Sequence, residues 1–146
     1  MSALQHPWIT HLADDFYELT FPTSFTDDQL RECLGLCEEF YVLKKPGPMA
    51  WVVDATHLSG SDPMKRRILA EHLKATKEVL DRDCKGTAVV TPSRMLRGIM
   101  QAVLWFAPPE YPQKAFETSV DARSWAARQL STATGVDVVV RPAKSA

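Results

Sequence analysis

The sequence predicts an α/β layered domain in which at least part of the sheet is parallel. Four segments of strand character alternate with four segments of helical character, and such alternation indicates parallel strands joined by crossover helices. The clearest unit is Met49–Met64, where a short apolar run ends at Asp54 and leads through a polar loop to Pro63 at a helix start. An apolar run closed by an acid suits a parallel strand covered on both faces.

Length and charge narrow the class of protein. The chain has 146 residues, which suits one domain with a sizeable core. Its net charge of −1, from 17 basic and 18 acidic residues, gives no general attraction to nucleic acid or anionic membrane. The N-terminus lacks a signal-peptide pattern, and the longest apolar run, Ala102–Ala107, is far too short to span a bilayer. We therefore expect a cytoplasmic protein with no nucleic-acid partner and no membrane insertion.

The predicted elements follow from apolar periodicity and helix-capping residues. Strands are expected at Phe16–Phe21, Ala50–Ala55, Gly86–Thr91 and, more weakly, Lys114–Glu117. The first helix begins at a capping box formed by Thr26 and Gln29 and ends near Leu43. The second helix extends to about Asp83, and Ser93 and Ser119 are expected to cap the third and fourth helices.

The three cysteines are expected in the core. Cys33 and Cys37 lie four residues apart on one apolar helical face, and Cys84 is distant in sequence. No CxxC or HxxxH spacing completes a metal site, and an odd number of cysteines argues against a disulfide framework. We therefore predict no metal and no cofactor. His72, on the apolar face of the second helix, is expected to be a partly buried histidine with a partner.

Five segments together resemble the STAS superfamily, especially its SpoIIAA-like branch, which is related to anti-sigma-factor antagonists. These segments are Trp51–Asp54, Ala88–Val90, Met95–Phe106, Lys114–Phe116 and Ala122–Trp125. The resemblance implies one domain with a central four- to five-stranded, mostly parallel or mixed sheet packed with about four helices. It suggests an N-terminal leader over 1–15, the domain over 16–132 and a C-terminal tail over 133–146.

STAS-like domains are mostly non-enzymatic; they bind protein partners, some bind nucleotides or lipids, and some are switched by serine phosphorylation. By position, Ser59 and Ser61 are the candidate phosphorylation sites, because they precede the second helix. A phosphate there would meet the helix N-terminus and one of the nearby cations Lys65 and Arg66. The usual Asp-Ser-Ser-Gly arrangement is absent, so the alternative is that Ser61 or Asp62 serves only as an N-cap.

A partner surface is predicted beside this loop. It would combine Ser61 and Asp62 with the aromatic residues Trp105, Phe106 and Tyr111, since large consecutive side chains at a helix end cannot all face one core. The alternative is that these aromatic side chains are buried over the sheet edge. The segment Val136–Val140 is a candidate edge strand, through which two copies would pair as a homodimer.

A small-ligand site is the second candidate. Ser93, Arg94 and Arg97 follow the third predicted strand and would suit an anion at a helix start. If the last three strands are parallel, the loops at 56–62, 92–94 and 118–119 share one edge of the sheet. The alternative for Ser93 is again a simple helix cap.

An enzyme is the least favoured class. Asp54, His57 and either Ser59 or Ser61 are crowded within eight residues, which rarely gives the geometry of a catalytic triad, and no Gly-x-Ser-x-Gly motif is present. The sequence therefore predicts a non-enzymatic intracellular regulatory or adaptor module that binds a protein partner. The alternative is a domain that binds a nucleotide, a lipid or another anion.

Overall fold

A computed structural model describes residues 4–58, 62–106 and 108–140, with only the backbone described at 99 and 102–106. Strands and helices alternate after an initial hairpin. The elements are β1 Ile9–Ala13, β2 Phe16–Thr20, α1 Asp27–Leu43, β3 Met49–Asp54, α2 Pro63–Asp83, β4 Cys84–Val90, α3 Arg94–Phe106, β5 Gln113–Phe116 and α4 Ser119–Thr134. None of these helices is long and apolar enough to cross a membrane.

The five strands form one mixed sheet in the order β1-β2-β3-β4-β5. β1 is antiparallel to β2, whereas β2, β3, β4 and β5 are parallel to one another. The α/β architecture and the mixed five-stranded sheet with four helices confirm the predicted fold class. Because strand order follows chain order, right-handed crossovers bring α1, α2 and α3 to one face of the sheet. The remaining helix, α4, covers the opposite face.

Side-chain caps set the start of each helix. Thr26 and Gln29 form the predicted capping box, with Gln29 N donating to Thr26 Oγ1 at 3.1 Å and Thr26 N donating to Gln29 Oε1 at 2.8 Å. Asp62 caps α2, with Pro63 at its first position. Ser93 Oγ accepts from Leu96 N at 3.2 Å and caps α3 as predicted. These contacts supply acceptors for N–H groups that lack a partner within the helix.

The cap of α4 differs from the prediction by one residue. Thr118, not Ser119, is the N-cap, and its Oγ1 accepts from Asp121 N at 3.3 Å. Thr118 has the extended backbone conformation that an N-cap requires, whereas Ser119 is already helical. The Ser119 hydroxyl instead donates to Asp54 Oδ2 at 3.5 Å.

The sheet begins earlier than the sequence predicts. Residues 9–13, expected in an N-terminal leader, form the edge strand β1 and pair with β2. Ile9 packs in the core on one face and Leu12 in the core on the other, so the strand lacks the apolar alternation by which strands are recognised. A register shift between His11 and Ala13 further hides the pattern.

The edge strand predicted at Val136–Val140 is wrong, because this segment has no regular secondary structure. Gly135, with a φ of 74°, ends α4 in the left-handed conformation that favours glycine, and the chain turns back along the helix. Val138 N donates to Ser131 Oγ at 2.9 Å, and Val138 and Val140 pack beside the core under α4. The homodimer inferred from strand pairing stays a prediction.

The core on the α4 face is built from small side chains. Ala122 and Ala126 of α4 are fully buried with Ala50 and Ala88 of the sheet. A Cβ added to Gly86 would lie 3.0 Å from Gln129 Cγ and 3.3 Å from the Trp125 ring on α4, so glycine allows this close approach without a shift of those side chains. α4 therefore packs directly on β3, β4 and β5.

Candidate functional site

A cavity of about 200 Å³ lies on the opposite face, between the sheet and helices α1, α2 and α3. Its floor is the sheet, and its roof is mainly α2. The floor includes Leu19, Trp51, Val53, Thr87, Val89 and Gln113. The roof and sides include Tyr41 and Cys37 of α1, Leu69, His72 and Leu73 of α2, and Leu96 and Met100 of α3.

The space exists because α2 packs chiefly against α1 and makes few contacts with the sheet beneath it. Lys65 joins the starts of the two helices, since its Nζ lies 2.9 Å from both Asp27 Oδ1 and Asp62 Oδ2. At the other end of α2, Asp83 is buried and pairs with Lys44 at 2.8 Å. These two ion-pair contacts tie α2 to its neighbour at both ends while its middle lies above the cavity.

Polar groups cross the floor of this mostly apolar cavity in a single row. Trp51, Thr87 and Gln113 lie side by side on β3, β4 and β5, because Trp51 pairs with Thr87 and Thr87 with Gln113 in the strand registers. Trp51 Nε1 and Gln113 Oε1 are buried and have no hydrogen-bond partner among the described residues. An unsatisfied buried donor or acceptor costs about 1–3 kcal/mol. Both atoms are closed off from a water-sized sphere although their residues line the cavity, so a bound molecule pairs with them only after a small shift of the neighbouring side chains.

Aromatic packing holds Trp51 in place. Its ring lies 5.1 Å from the ring of Tyr17 and 6.3 Å from that of Tyr41, measured between centroids. The ring contacts limit the rotation of the indole, so the position of its N–H is set before any ligand arrives.

Burial disfavours the charged forms of Tyr41, Tyr111, Cys37 and His72 around the cavity. Desolvation raises the pKa of Tyr41 and of Tyr111 well above the usual range of tyrosine. A hydrogen bond with Cys33 and then burial raise the pKa of the Cys37 thiol. Burial lowers the pKa of His72, against the opposing effect of Glu38, whose Oε2 lies 3.1 Å from His72 Nδ1. His72 is thus the partly buried, partnered histidine that the sequence predicts.

The carboxyl ends of the parallel strands meet at one edge, as predicted. Phe21 N donates to Asp54 O at 3.1 Å, and Ala55 N donates to Val90 O at 2.9 Å. Thr91 N likewise donates to Phe116 O at 2.9 Å. The loops after β3, β4 and β5 therefore converge on this edge of the sheet.

Asp54 organises the loop after β3. Its Oδ1 accepts from Thr56 N at 3.0 Å and from Thr56 Oγ1 at 2.5 Å, and its Oδ2 accepts from Ser119 Oγ. Such a turn is a common structural use of aspartate. These contacts account for Asp54 without a catalytic partnership with His57, whose side chain is exposed.

The residues predicted for partner binding have different positions. Ser59 and Ser61 lie outside the described residues. Asp62 is the N-cap of α2, and the hydrogen bond from Lys65 lowers its pKa. Trp105 and Phe106 end α3, where the side chains are outside the described part of the chain. Tyr111 lines the cavity and packs against the core, which agrees with the buried alternative.

The anion site predicted at the start of α3 is separate from the cavity. Ser93 acts as the helix cap, which agrees with the alternative interpretation of this residue. Arg94 and Arg97 lie in the first turn of α3, outside the lining of the cavity. Their role as ligand contacts stays a prediction.

Sequence reasoning missed Trp51, Thr87 and Gln113 as a group. The available signal is the polar residue Thr87 directly before the apolar run Ala88–Val90. It could not be used, because the register that aligns three strands is a tertiary property.

The three cysteines and the other side chains that could bind a metal ion do not form a metal site in the described part of the chain. Cys33, Cys37 and Cys84 are buried free thiols, as expected. Within residues 4–58, 62–106 and 108–140, no group of three or more His, Cys, Asp or Glu side chains could hold a metal ion.

Comparison with known proteins supports the fold. The crystal structure of an uncharacterized protein of the DUF3478 family from Shewanella loihica PV-4, with a SpoIIAA-like fold, superposes with a TM-score of 0.56. The two sequences are 19% identical, and the match covers 81% of this chain and 90% of the other. No curated protein matches the sequence significantly. The SpoIIAA-like family model matches residues 16–127, which is most of the chain, and the chain therefore belongs to the SpoIIAA-like family.

Proposed function

We propose that this protein is a non-enzymatic binding domain for a small, largely apolar molecule, which is held in the cavity between the sheet and α2. The observation that carries the proposal is the cavity itself, about 200 Å³ and lined mostly by apolar side chains. Protein interiors are normally packed as densely as organic crystals, so a void of this size is unusual in a small domain. Concave, apolar sites with a few polar groups are typical of ligand pockets.

The volume limits the ligand. An apolar cavity of about 150 Å³ in another protein binds benzene, and the cavity here measures about 200 Å³. A single ring or a short alkyl chain fits this space. A nucleotide does not, and a lipid would place only a short segment inside. This proposal narrows the nucleotide, lipid or anion alternative to a compact apolar ligand.

Toluene is a suitable first probe, because it is apolar and consists of a single ring. We expect toluene to raise the melting temperature of the protein and to shift methyl NMR signals from residues that line the cavity, such as Leu73 and Val89. Val53→Phe places a larger side chain on the cavity floor and should abolish both effects.

Val42→Phe is the matched control, because the same substitution is made at a residue of α1 that is 82% exposed. This variant should bind toluene as the wild type does. The proposal is wrong if toluene leaves the wild type unchanged, or if Val53→Phe and Val42→Phe bind toluene equally well.

Protein binding at the carboxyl edge of the sheet is a second candidate. Met64 and Met95 are 42% and 63% exposed at the starts of α2 and α3, and these helices follow the adjacent strands β3 and β4. Exposed methionines adapt to varied apolar partners. A regulatory protein partner at this edge, with phosphorylation of Ser59 or Ser61 as its switch, fits the SpoIIAA-like fold.

Affinity capture from the native cell extract tests this candidate. A specific co-purifying protein should be lost when Met64→Ser and Met95→Ser are combined, and Ser61→Glu should change its yield. Val120→Ser on α4 is the control, because Val120 is also exposed, at 75%, but lies on another helix. Equal capture by the double variant and this control would remove the candidate.

A further inference from the structure

We infer that the row formed by Trp51, Thr87 and Gln113 selects a ligand that carries a neutral hydroxyl group on its small apolar body. This inference rests on the proposed function and adds a chemical class to it. The hydroxyl would accept a hydrogen bond from Trp51 Nε1 or donate one to Gln113 Oε1, and a well-placed hydroxyl can do both.

First, two buried polar atoms of the row, one in Trp51 and one in Gln113, lack a hydrogen-bond partner among the described residues. Trp51 is only 4% exposed, yet its N–H has no acceptor among the described residues. Gln113 Oε1 is buried and lacks a donor. Buried polar groups in folded proteins nearly always have partners. Thr91 Oγ1 is a third buried atom with no partner among the described residues, but Thr91 does not line the cavity. Trp51 and Gln113 both line it, so a molecule bound there is the candidate for their missing donor and acceptor.

The second step concerns their arrangement. The strand registers place Trp51, Thr87 and Gln113 in one line across β3, β4 and β5, and all three line the cavity. Thr87 Oγ1 already lies 3.3 Å from Cys84 Sγ. The two ends of the row therefore hold the unused hydrogen-bonding groups, one a donor and the other an acceptor.

The third step concerns charge. The row consists of an indole, a hydroxyl and an amide, none of which carries a charge. Lys65 and Arg66 also line the cavity, at the start of α2, but the row itself is uncharged, and moving an ionised carboxylate or phosphate to it would require desolvation, which is strongly unfavourable. A neutral hydroxyl meets the hydrogen-bonding need without that penalty, so an alcohol or a phenol is favoured over an acid.

The experiment compares phenol with toluene. The two probes have the same number of non-hydrogen atoms and differ in a hydroxyl against a methyl group, and phenol is neutral at pH 7 because its pKa is about that of tyrosine, near 10. We expect the wild type to bind phenol about 3- to 10-fold more tightly than toluene in titration calorimetry, after correction for their different transfer from water.

Two variants assign that preference to the row. Trp51→Phe keeps an aromatic ring and removes the N–H, and Gln113→Met keeps the length of the side chain and removes the acceptor. Each should reduce the preference for phenol while leaving toluene affinity within about 2-fold of wild type. Val42→Phe should keep the wild-type preference.

NMR provides a measurement that needs no variant to bind. The chain has four tryptophans, and the indole signal that disappears in Trp51→Phe belongs to Trp51. Phenol should shift that signal in the wild type, and toluene should shift it much less.

The outcomes separate this inference from the proposed function. This inference is overturned if toluene binds and phenol binds no more tightly, or if phenol leaves the Trp51 indole signal unshifted. In either case the row does not select a hydroxyl group, and the cavity remains a ligand site. If neither probe binds, the proposed function fails as well. If Trp51→Phe and Gln113→Met each reduce the preference for phenol over toluene, the result supports the proposed function and this inference.

Discussion

The two faces of the sheet are covered in different ways. On the α4 face, Ala50 and Ala88 meet Ala122 and Ala126, and the helix lies directly on the strands. On the other face, large side chains of the sheet meet three helices, and a cavity of about 200 Å³ separates α2 from the floor. Small side chains permit close packing, whereas large side chains with α2 held at its ends leave space between the layers. The comparison indicates that the first face is closely packed, whereas the second face leaves room for a ligand.

The largest effect is expected from the buried ion pair on the α4 face. Glu18 is 3% exposed, and Arg123 Nε donates to its Oε1 at 3.0 Å. The Arg123 side chain is 32% exposed, so water can replace part of the lost contact. Arg123→Met should therefore lower the free energy of unfolding by about 2–4 kcal/mol, because the Glu18 charge stays buried with an incomplete partner. Denaturation by urea measures this loss.

The double variant Glu18→Leu with Arg123→Met should recover much of that stability, since it removes both charges. A loss below about 1 kcal/mol for Arg123→Met alone is typical of an exposed ion pair, and it would show that Glu18 does not depend on Arg123 as its partner.

A pair of neighbouring substitutions tests the difference in packing directly. Val52 faces α4 and is fully buried, whereas Val53 lines the cavity. Val52→Phe should cost about 1–3 kcal/mol, because the α4 face has no space for a larger side chain. Val53→Phe should change the free energy of unfolding by less than about 1 kcal/mol, since the cavity accepts the ring. Equal losses in urea denaturation would show that the two faces are packed alike.

The helix layer above the cavity should weaken in acid. Hydrogen bonds from Arg82 and then Lys44 hold the pKa of the buried Asp83 carboxyl well below its usual value of 3.8. Its contribution to stability is therefore present above about pH 4 and is lost as the pH falls below 3.8 toward the folded-state pKa. Urea denaturation between pH 5 and about pH 2 measures the loss.

Asp83→Asn is the control, and its unfolding free energy should vary less over the same range. If Asp83→Asn loses as much unfolding free energy in acid as the wild type does, other carboxyl groups cause that loss.

The smallest effect is expected from His72 in the cavity roof. Burial lowers its pKa from the usual 6.5, and the Glu38 carboxylate opposes that change. The folded protein therefore favours the neutral imidazole, so stability is full above pH 6.5 and declines as the pH falls through that value. Thermal unfolding from pH 8 to about pH 5 measures the decline.

His72→Gln should flatten this part of the profile, and Glu38→Gln should steepen it because it removes the opposing charge. If stability depends less on pH in Glu38→Gln than in the wild type, the Glu38 carboxylate does not oppose the effect of burial on the His72 pKa.

Local signals explain which parts of the fold were predictable. The capping box at Thr26 and Pro63 at a helix start depend only on neighbouring residues, and the structure confirms both. The parallel strands β3 and β4 carry apolar runs, Met49–Val53 and Ala88–Val90, that are recognisable in the sequence. β1 was missed because Ile9 and Leu12 serve opposite faces, and the edge strand expected at Val136–Val140 failed because its valines pack beside α4 instead.

The candidate site was less predictable than the fold. Convergence of the loops at the carboxyl edge follows from strand direction, and it was predicted correctly. The cavity depends on how far α2 stands from Trp51 and Val89, which no local pattern encodes. The row of polar groups depends on the register of three strands. Only the folded sheet places Gln113 beside Thr87 and reveals that Gln113 Oε1 lacks a hydrogen-bond donor among the described residues.

The order of the strands has a consequence for synthesis on the ribosome. Because β1 to β5 pair with their neighbours in chain order, the sheet can be assembled strand by strand as the polypeptide emerges. α4 follows all five strands, so the apolar strip of Ala50, Val52, Ala88 and Val90 stays open to solvent until that helix has left the exit tunnel. A nascent chain halted before Ser119 therefore presents an uncovered sheet face, the kind of surface on which chaperones act and chains aggregate.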